Sequence, residues 1–229
     1  MKVTTDACLF GAWVAEEARS RDPIAIGSGA RSSLDIGTGT GLLALMLAQK
    51  NLETNILAIE IDKDAAEQAA KNIDSSLWKD QVAILEANVK KFSFPEKFDL
   101  IISNPPFYEK ELRSDTDKKN IAHHSENLTL KELLNIIKNN LNPVGNFFLL
   151  LPYKRNDEIK KLFRDHELHV SKMIFVRQSV KHDYFRIFIK GSLNAEEKET
   201  EFDEISIWDE KQQYTNEFVM LLKDYYLHL

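Results

Sequence analysis

The feature that most constrains this chain is a cluster of three glycines set between a strand pattern and a helix pattern. Residues 34–41 read Leu-Asp-Ile-Gly-Thr-Gly-Thr-Gly. An apolar run ends at Ile36, glycines follow at 37, 39 and 41, and GLLALMLAQ at 41–49 reads as a buried helix. Glycine turns sharply at little steric cost and lets backbone N–H groups approach a ligand at a helix N-terminus. Dinucleotide-binding loops need G-x-G-x-x-G, but the position three after Gly39 is Leu42, so that pattern fails.

The alternation continues along the chain. NILAIEI at 55–61 is a short β-rich run, and Asp62 is the N-cap expected for a helix over 63–73. Further short strands are expected at Gln81–Leu85 and Phe98–Ser103. TLKELLNIIKNNL at 129–141 has apolar residues at helical spacing, with Thr129 and Glu132 in a capping-box pattern, and Asn142-Pro143 ends it. GNFFLLL at 145–151 is a continuous apolar strand, the pattern of one covered on both faces. Strands near 169–177 and 184–190 have no helix between them, which predicts an antiparallel hairpin at one sheet edge. Repeated β-α-β units define an α/β fold with a mostly parallel sheet and helices on both faces.

The length of 229 residues suits one domain spanning 1–229, without internal repeats; polar, acidic GSLNAEEKETEFDE at 191–204 is the best linker candidate. No apolar stretch is long enough for a membrane helix, and MKVTTDACLF lacks the pattern of a signal peptide. Cys8 is the only cysteine, read as a small half-buried apolar residue, and a chain without an internal disulfide is expected in the cytoplasm. The net charge of -6 argues weakly against a nucleic-acid partner, but it is uneven: residues 108–190 carry 16 Lys+Arg against 11 Asp+Glu, net +5. Such a segment can form a phosphate-facing surface on an acidic protein, or be an ordinary solvated surface.

The D-x-G-x-G-x-G spacing from Asp35 through Gly37 and Gly39 to Gly41 resembles the first motif of class I methyltransferases. That resemblance implies a loop wrapping the methionine and ribose of S-adenosyl-L-methionine, on a Rossmann-like fold with a seven-stranded sheet. Glu60 stands at the end of the next strand, 19 residues after Gly41, where a carboxylate can accept two adjacent ribose hydroxyls. Asn88 follows the third strand, where the family usually has an Asp that binds the cofactor's adenine amine; the Asn88 carbonyl oxygen retains the acceptor.

An apolar strand, DLIIS, then runs into Asn104-Pro105-Pro106-Phe107. The prolines stiffen the backbone and remove two donors, so the Asn104 side-chain oxygen and the Pro105 carbonyl can converge as acceptors. An amine on an aromatic ring is a poor nucleophile, and two acceptors on its hydrogens favour the pyramidal geometry of attack. Phe107 offers a face on which a base can stack. Methyltransferases acting on exocyclic amines of bases and on protein glutamine share this motif. With a sulfonium donor, positioning is expected to supply most of the catalysis, without a metal.

Taken with HHSENLTLKELL and YTNEFVMLLKDYYL, these motifs are similar to the bacterial tRNA(Val) adenine-37 N(6)-methyltransferase family over nearly the whole chain. The resemblance implies tRNA as partner, with the adenine beside the anticodon as substrate. It places Thr5 and Asp6, in MKVTTDACLFGAW, near the methionine end of the cofactor. The sequence departs from the family at Thr4 and Ala7, where glycines are usual, in the strand Tyr184–Lys190, and in lacking a Phe- and Lys-rich stretch ahead of this point. Glutamine methylation, DNA adenine methylation and a non-catalytic binding module are the alternatives. The first two usually need a further domain, and the intact Asn104–Phe107 argues against the third. His123 and His124 are adjacent without partners at metal-ligand spacing, so they read as part of an RNA-contacting loop with Lys110, Arg113, Lys118 and Lys119. A monomer without metal or membrane contact is expected.

Overall fold

The computed structural model describes residues 3–19, 31–106, 128–194 and 199–228. Among these described residues eight strands form one sheet: β1 (Arg31–Ile36), β2 (Thr54–Glu60), β3 (Val82–Glu86), β4 (Phe98–Ser103), β5 (Leu141–Pro152), β6 (His169–Ser179), β7 (Tyr184–Ser192) and β8 (Glu201–Trp208). Their order is β3-β2-β1-β4-β5-β7-β6-β8. Seven strands run in one direction, and β7 alone is reversed, pairing antiparallel with both β5 and β6. The helices are α1 (Thr5–Arg19), α2 (Leu42–Lys50), α3 (Lys63–Asp74), α4 (Leu130–Asn140), α5 (Asn156–Asp165) and α6 (Asn216–Leu222).

Local chemistry sets these boundaries. Asp62 caps α3 by accepting the Ala65 N–H, and Thr129 with Glu132 closes the capping box of α4. The sheet continues directly from α4, since β5 begins at Leu141. Its pairing with β4 shifts register between Leu141 and Asn146, and Pro143, which has no N–H to give, falls in that irregular stretch. From Gly145 to Pro152 every residue is buried. Phe147, Leu149 and Leu151 join the core on one face, Phe148 and Leu150 that on the other.

The core beneath α1, α2 and α6 is aromatic: Trp13 of α1 stacks on Phe188 and meets Phe148 edge-on. Helix α1 is buried from Asp6 to Ala15, and at Gly11 it approaches α2 so closely that a Cβ would lie 2.7 Å from the Met46 sulfur. Glu16 and Glu17 close its polar end, Glu17 pairing with Lys190 at 2.6 Å and Lys172 at 3.4 Å. The facing core joins α4 and α5 to the sheet through Leu133, Leu134, Ile137, Ile159 and Phe163.

Four expectations differ from the structure. The sheet has eight strands, because β8 adds parallel to β6. The hairpin β6–β7 therefore lies inside the sheet. The polar stretch 191–204 is strand at both ends, with β7 reaching Ser192 and β8 starting at Glu201. Its acidic residues misled because β8 changes along its length: Glu201 to Glu204 are all exposed, whereas Ile205 and Ile207 further along are buried. Cys8 is buried at 7% exposure, deeper than half-buried.

Candidate active site

The strand order reverses between β1 and β4, and ligands of open α/β sheets bind outside the carboxyl ends of strands at such a point. Ile36 and Ser103 are register partners at the ends of these strands. The glycine loop begins at the next residue of one and the Asn-Pro-Pro turn at the next residue of the other. Adjacent strands lie about 4.8 Å apart. The two motifs, 63 residues apart from Gly41 to Asn104, thus leave the sheet side by side. The buried Ser103 hydroxyl fastens them, donating to the Ile36 carbonyl at 2.7 Å.

Gly37, Gly39 and Gly41 have φ of 70°, 60° and 83°, values that any side chain would strain. A Cβ at Gly37 would meet nothing within 4 Å, so the loop faces open space there. The turn is held from β2: the Ile59 carbonyl accepts from Gly37 N at 2.9 Å and Thr38 N at 3.2 Å.

Glu60 is 7% exposed, and its carboxylate is engaged with the backbone. Oε2 accepts from Gly39 N at 2.8 Å; Oε1 accepts from Ile61 N at 2.9 Å and Asp62 N at 3.0 Å. The acid expected to receive a ribose therefore also shapes the glycine loop, a role the sequence did not signal. Of about four lone-pair directions on a carboxylate, one remains for a further donor.

Asp35 is fully buried. Its Oδ2 accepts from the Thr38 hydroxyl at 2.6 Å, and Oδ1 has no hydrogen-bond partner among the described residues. Burial pushes the carboxyl up to about 7, and the nearby Glu60 charge adds to this. The Thr38 hydroxyl pulls the other way, as does the Ala44 amide, which does not meet hydrogen-bond geometry. A buried acceptor with an unused lone pair fits a cationic donor, such as the ammonium of a methionine moiety, better than water.

Thr5 and Asp6 open α1. Asp6 is 9% exposed and pairs with Arg186 of β7 at 2.7 Å, and Arg186 lies over the Phe185 ring. Gly11 abuts Leu43 and Met46 of α2, and Asp6 lies five residues before it, about 7.5 Å along the helix axis. That brings the start of α1 to the level of the glycine loop. Arg186 was missed in the sequence, where β7 reads only as an apolar strand. Behind Thr5, Tyr226 of the C-terminal segment reaches Cys8, and burial is the main cause that pushes its hydroxyl up to about 12.

Asn88, two residues beyond β3, is half-buried and accepts from Lys90 N through its side-chain carbonyl at 3.0 Å. In this structure it closes its own turn. Asn104 is half-buried, Pro105 buried and Pro106 exposed. Phe107 lies outside the described residues, as do Lys110, Arg113, Lys118, Lys119, His123 and His124. Among the described residues no group of His, Cys, Asp or Glu is placed to hold a metal ion, and no helix is long and apolar enough to cross a membrane.

The fold is Rossmann-like, and the family model and relatives below define the class as methyltransferase. It superimposes with a TM-score of 0.66 on an Agrobacterium tumefaciens protein described as a predicted O-methyltransferase, at 13% identity over 94% of this chain and 95% of that one. A SAM-dependent methyltransferase from Aquifex aeolicus gives 0.58 at 14% identity over 82% and 93%. The model of the methyltransferase small domain family matches residues 26–175. A tRNA1(Val) (adenine(37)-N6)-methyltransferase of Bacteroides thetaiotaomicron is 35% identical over 100% of this chain and 92% of its own. One of Flavobacterium johnsoniae is 34% identical over 100% and 94%. The chain belongs to the methyltransferase small domain family and to the tRNA1(Val) (adenine(37)-N6)-methyltransferases.

Proposed function

We propose that this chain is a cytoplasmic enzyme that transfers a methyl group from S-adenosyl-L-methionine to the exocyclic amine of adenine 37 in a valine tRNA. The observation that carries the reading is the Ile36–Ser103 register pair, from which the glycine loop and the Asn-Pro-Pro turn leave neighbouring strands together. The relatives, matched over the whole chain, support the choice of base and RNA.

In this reading Gly37, Gly39 and Gly41 present backbone to the cofactor, and the open space over Gly37 receives it. Glu60 offers its remaining lone pair to the ribose while holding Gly39. Asp35 and the start of α1, with Thr5 and Asp6, face the methionine end, and Asn88 faces the adenine. When bound, the cofactor supplies a methyl on a positively charged sulfur, whose carbon–sulfur bond breaks as the nitrogen–carbon bond forms.

The side-chain oxygen of Asn104 and the carbonyl of Pro105 accept the two hydrogens of the target amine. This draws the nitrogen out of conjugation, so that its lone pair points at the methyl carbon. Phe107 stacks on the extruded base. The product nitrogen sheds one proton to solvent and regains its neutral state. Holding two reactants in line in this way accounts for rate by removing orientational freedom before the chemical step.

The test is labelled-methyl transfer from S-adenosylmethionine to total tRNA, followed by digestion to nucleosides. Label in N6-methyladenosine is expected; label confined to another nucleoside, or absent from RNA, overturns the reading.

A further inference from the structure

A row of aromatic rings crosses four adjacent strands, starting beside the candidate active site. Tyr153 directly follows β5, Tyr184 begins β7, Phe175 is on β6, and Phe202 is on the edge strand β8. Ring centroids are 5.2 Å apart from Tyr153 to Tyr184, 5.5 Å from Tyr184 to Phe175, and 6.1 Å from Phe175 to Phe202, the last pair nearly parallel at 8°. Phe202 keeps 60% of its surface exposed, and Tyr153, Phe175 and Tyr184 are each partly exposed. A large exposed apolar ring on an edge strand is a liability unless something covers it.

The row is continuous with the site. Leu149 is the register partner of Ser103, and Pro152 lies three residues further along β5, about 10 Å toward the carboxyl edge. Tyr153 comes next, so the row leads outward from the side where Asn104 leaves the sheet.

Its charge surroundings suit a polyanion. The stretch 153–182, which follows β5 and carries two of the rings, has 8 Lys+Arg against 4 Asp+Glu. Arg177 sits over the Tyr184 ring at 5.5 Å, and the exposed Lys154 adjoins Tyr153. The acid of β8 on the ring-bearing face, Glu204, is occupied: it pairs with Arg177 at 2.6 Å and accepts from the Tyr184 hydroxyl. Strand alternation puts Glu201 and Asp203 on the opposite face.

We infer that the row Tyr153–Tyr184–Phe175–Phe202 is a stacking platform for unpaired nucleotides flanking the target adenine. This rests on the reading above that the substrate base lies in RNA. Sequence-tolerant recognition of single strands combines aromatic faces with cationic neighbours, and a base is extruded most readily where its neighbours are themselves held unstacked.

The test compares the full chain with Phe202→Ser, which changes an exposed residue, and with Tyr184→Ala. Binding is read by fluorescence anisotropy on a labelled hairpin with an adenine in its loop, and on a blunt RNA duplex of equal length. Each variant should weaken hairpin binding roughly five- to tenfold, on the scale of one lost base–ring stack. Duplex binding, cofactor affinity and the salt slope of hairpin binding should be unchanged, because no phosphate contact is removed. Phe202→Trp should bind as the wild type does. Unaltered hairpin binding by a folded Phe202→Ser chain overturns the inference. So does a wild-type dimer that this variant turns into a monomer, since a second copy would then cover the row. If the wild type binds hairpins through these rings yet methylates no RNA, the proposed reaction fails while the platform stands.

Discussion

The carboxylate of Glu60 accepts the backbone N–H of Gly39 at 2.8 Å, so the acid ending β2 holds in shape the loop that follows β1. Its other oxygen takes Ile61 N and Asp62 N. One side chain thus links two parts of the proposed cofactor site, and its removal should be felt twice. Glu60→Ala is expected to weaken S-adenosylmethionine binding by about 1.5–3 kcal/mol, the range for hydrogen bonds to a charged group, and also to lower the melting temperature of the free protein. Calorimetric affinity equal to that of the wild type contradicts the assignment.

Asn104 acts, in this account, on the nucleophile alone. Asn104→Ala should lower kcat by roughly a hundredfold or more, the scale for one hydrogen bond that matters mainly in the transition state, with cofactor affinity kept. Steady-state kinetics with calorimetry decide it. A variant retaining most of its turnover defeats the mechanism.

Asp35 gives a pH signature. Its carboxyl is raised to about 7 by burial, well above its value in an unfolded chain. A raised group contributes stability that is full below the unfolded pKa and is lost as pH rises to the folded one. Between about pH 4 and 7 this residue should therefore lower the stability of the cofactor-free protein by at most roughly 1.4 kcal/mol per pH unit, levelling off above. Asp35→Asn should remove that slope and be the more stable chain at pH 8. Cofactor affinity of the wild type should rise with pH through about 7, as the charged form meets the cationic donor. Denaturant melts of the two chains that stay parallel from pH 4 to 8 refute this.

Gly191 tests the packing of the sheet. A Cβ there would overlap both the Phe147 ring and the His169 carbonyl, and the second is backbone that cannot swing aside. Gly191→Ala is expected to cost about 1–3 kcal/mol in chemical denaturation. An unchanged midpoint would mean that β5 and β7 sit further apart than described.

Much of this was legible in the sequence wherever one local rule decided the outcome. Phe98–Ser103 is a strand with the expected ends, because apolar residues meet a proline pair. The caps at Asp62 and Thr129 follow from side chains that can reach a backbone N–H. Helix α1 gave no such signal: its burial on nearly every side leaves no amphipathic period, and only the packed fold explains it. Strand β8 was hidden by its acidic first half, Glu201 to Glu204, which is exposed on both faces and says nothing about strand pairing.

The site divides in the same way. The glycines and the Asn-Pro-Pro turn declare themselves, since each needs particular residues in a particular order. The Glu60–Gly39 bond, the Asp6–Arg186 pair and the aromatic row join residues 21, 180 and up to 49 positions apart, and no local pattern encodes them.

The central claim is that the turn after β4 methylates adenine 37 of a valine tRNA. It is tested most directly with two valine tRNA transcripts that differ only in having adenine or guanine at that position, each incubated with the protein and labelled S-adenosylmethionine. Label should appear in the adenine transcript alone and be recovered as N6-methyladenosine. Label in both transcripts, in neither, or in another nucleoside would contradict the account.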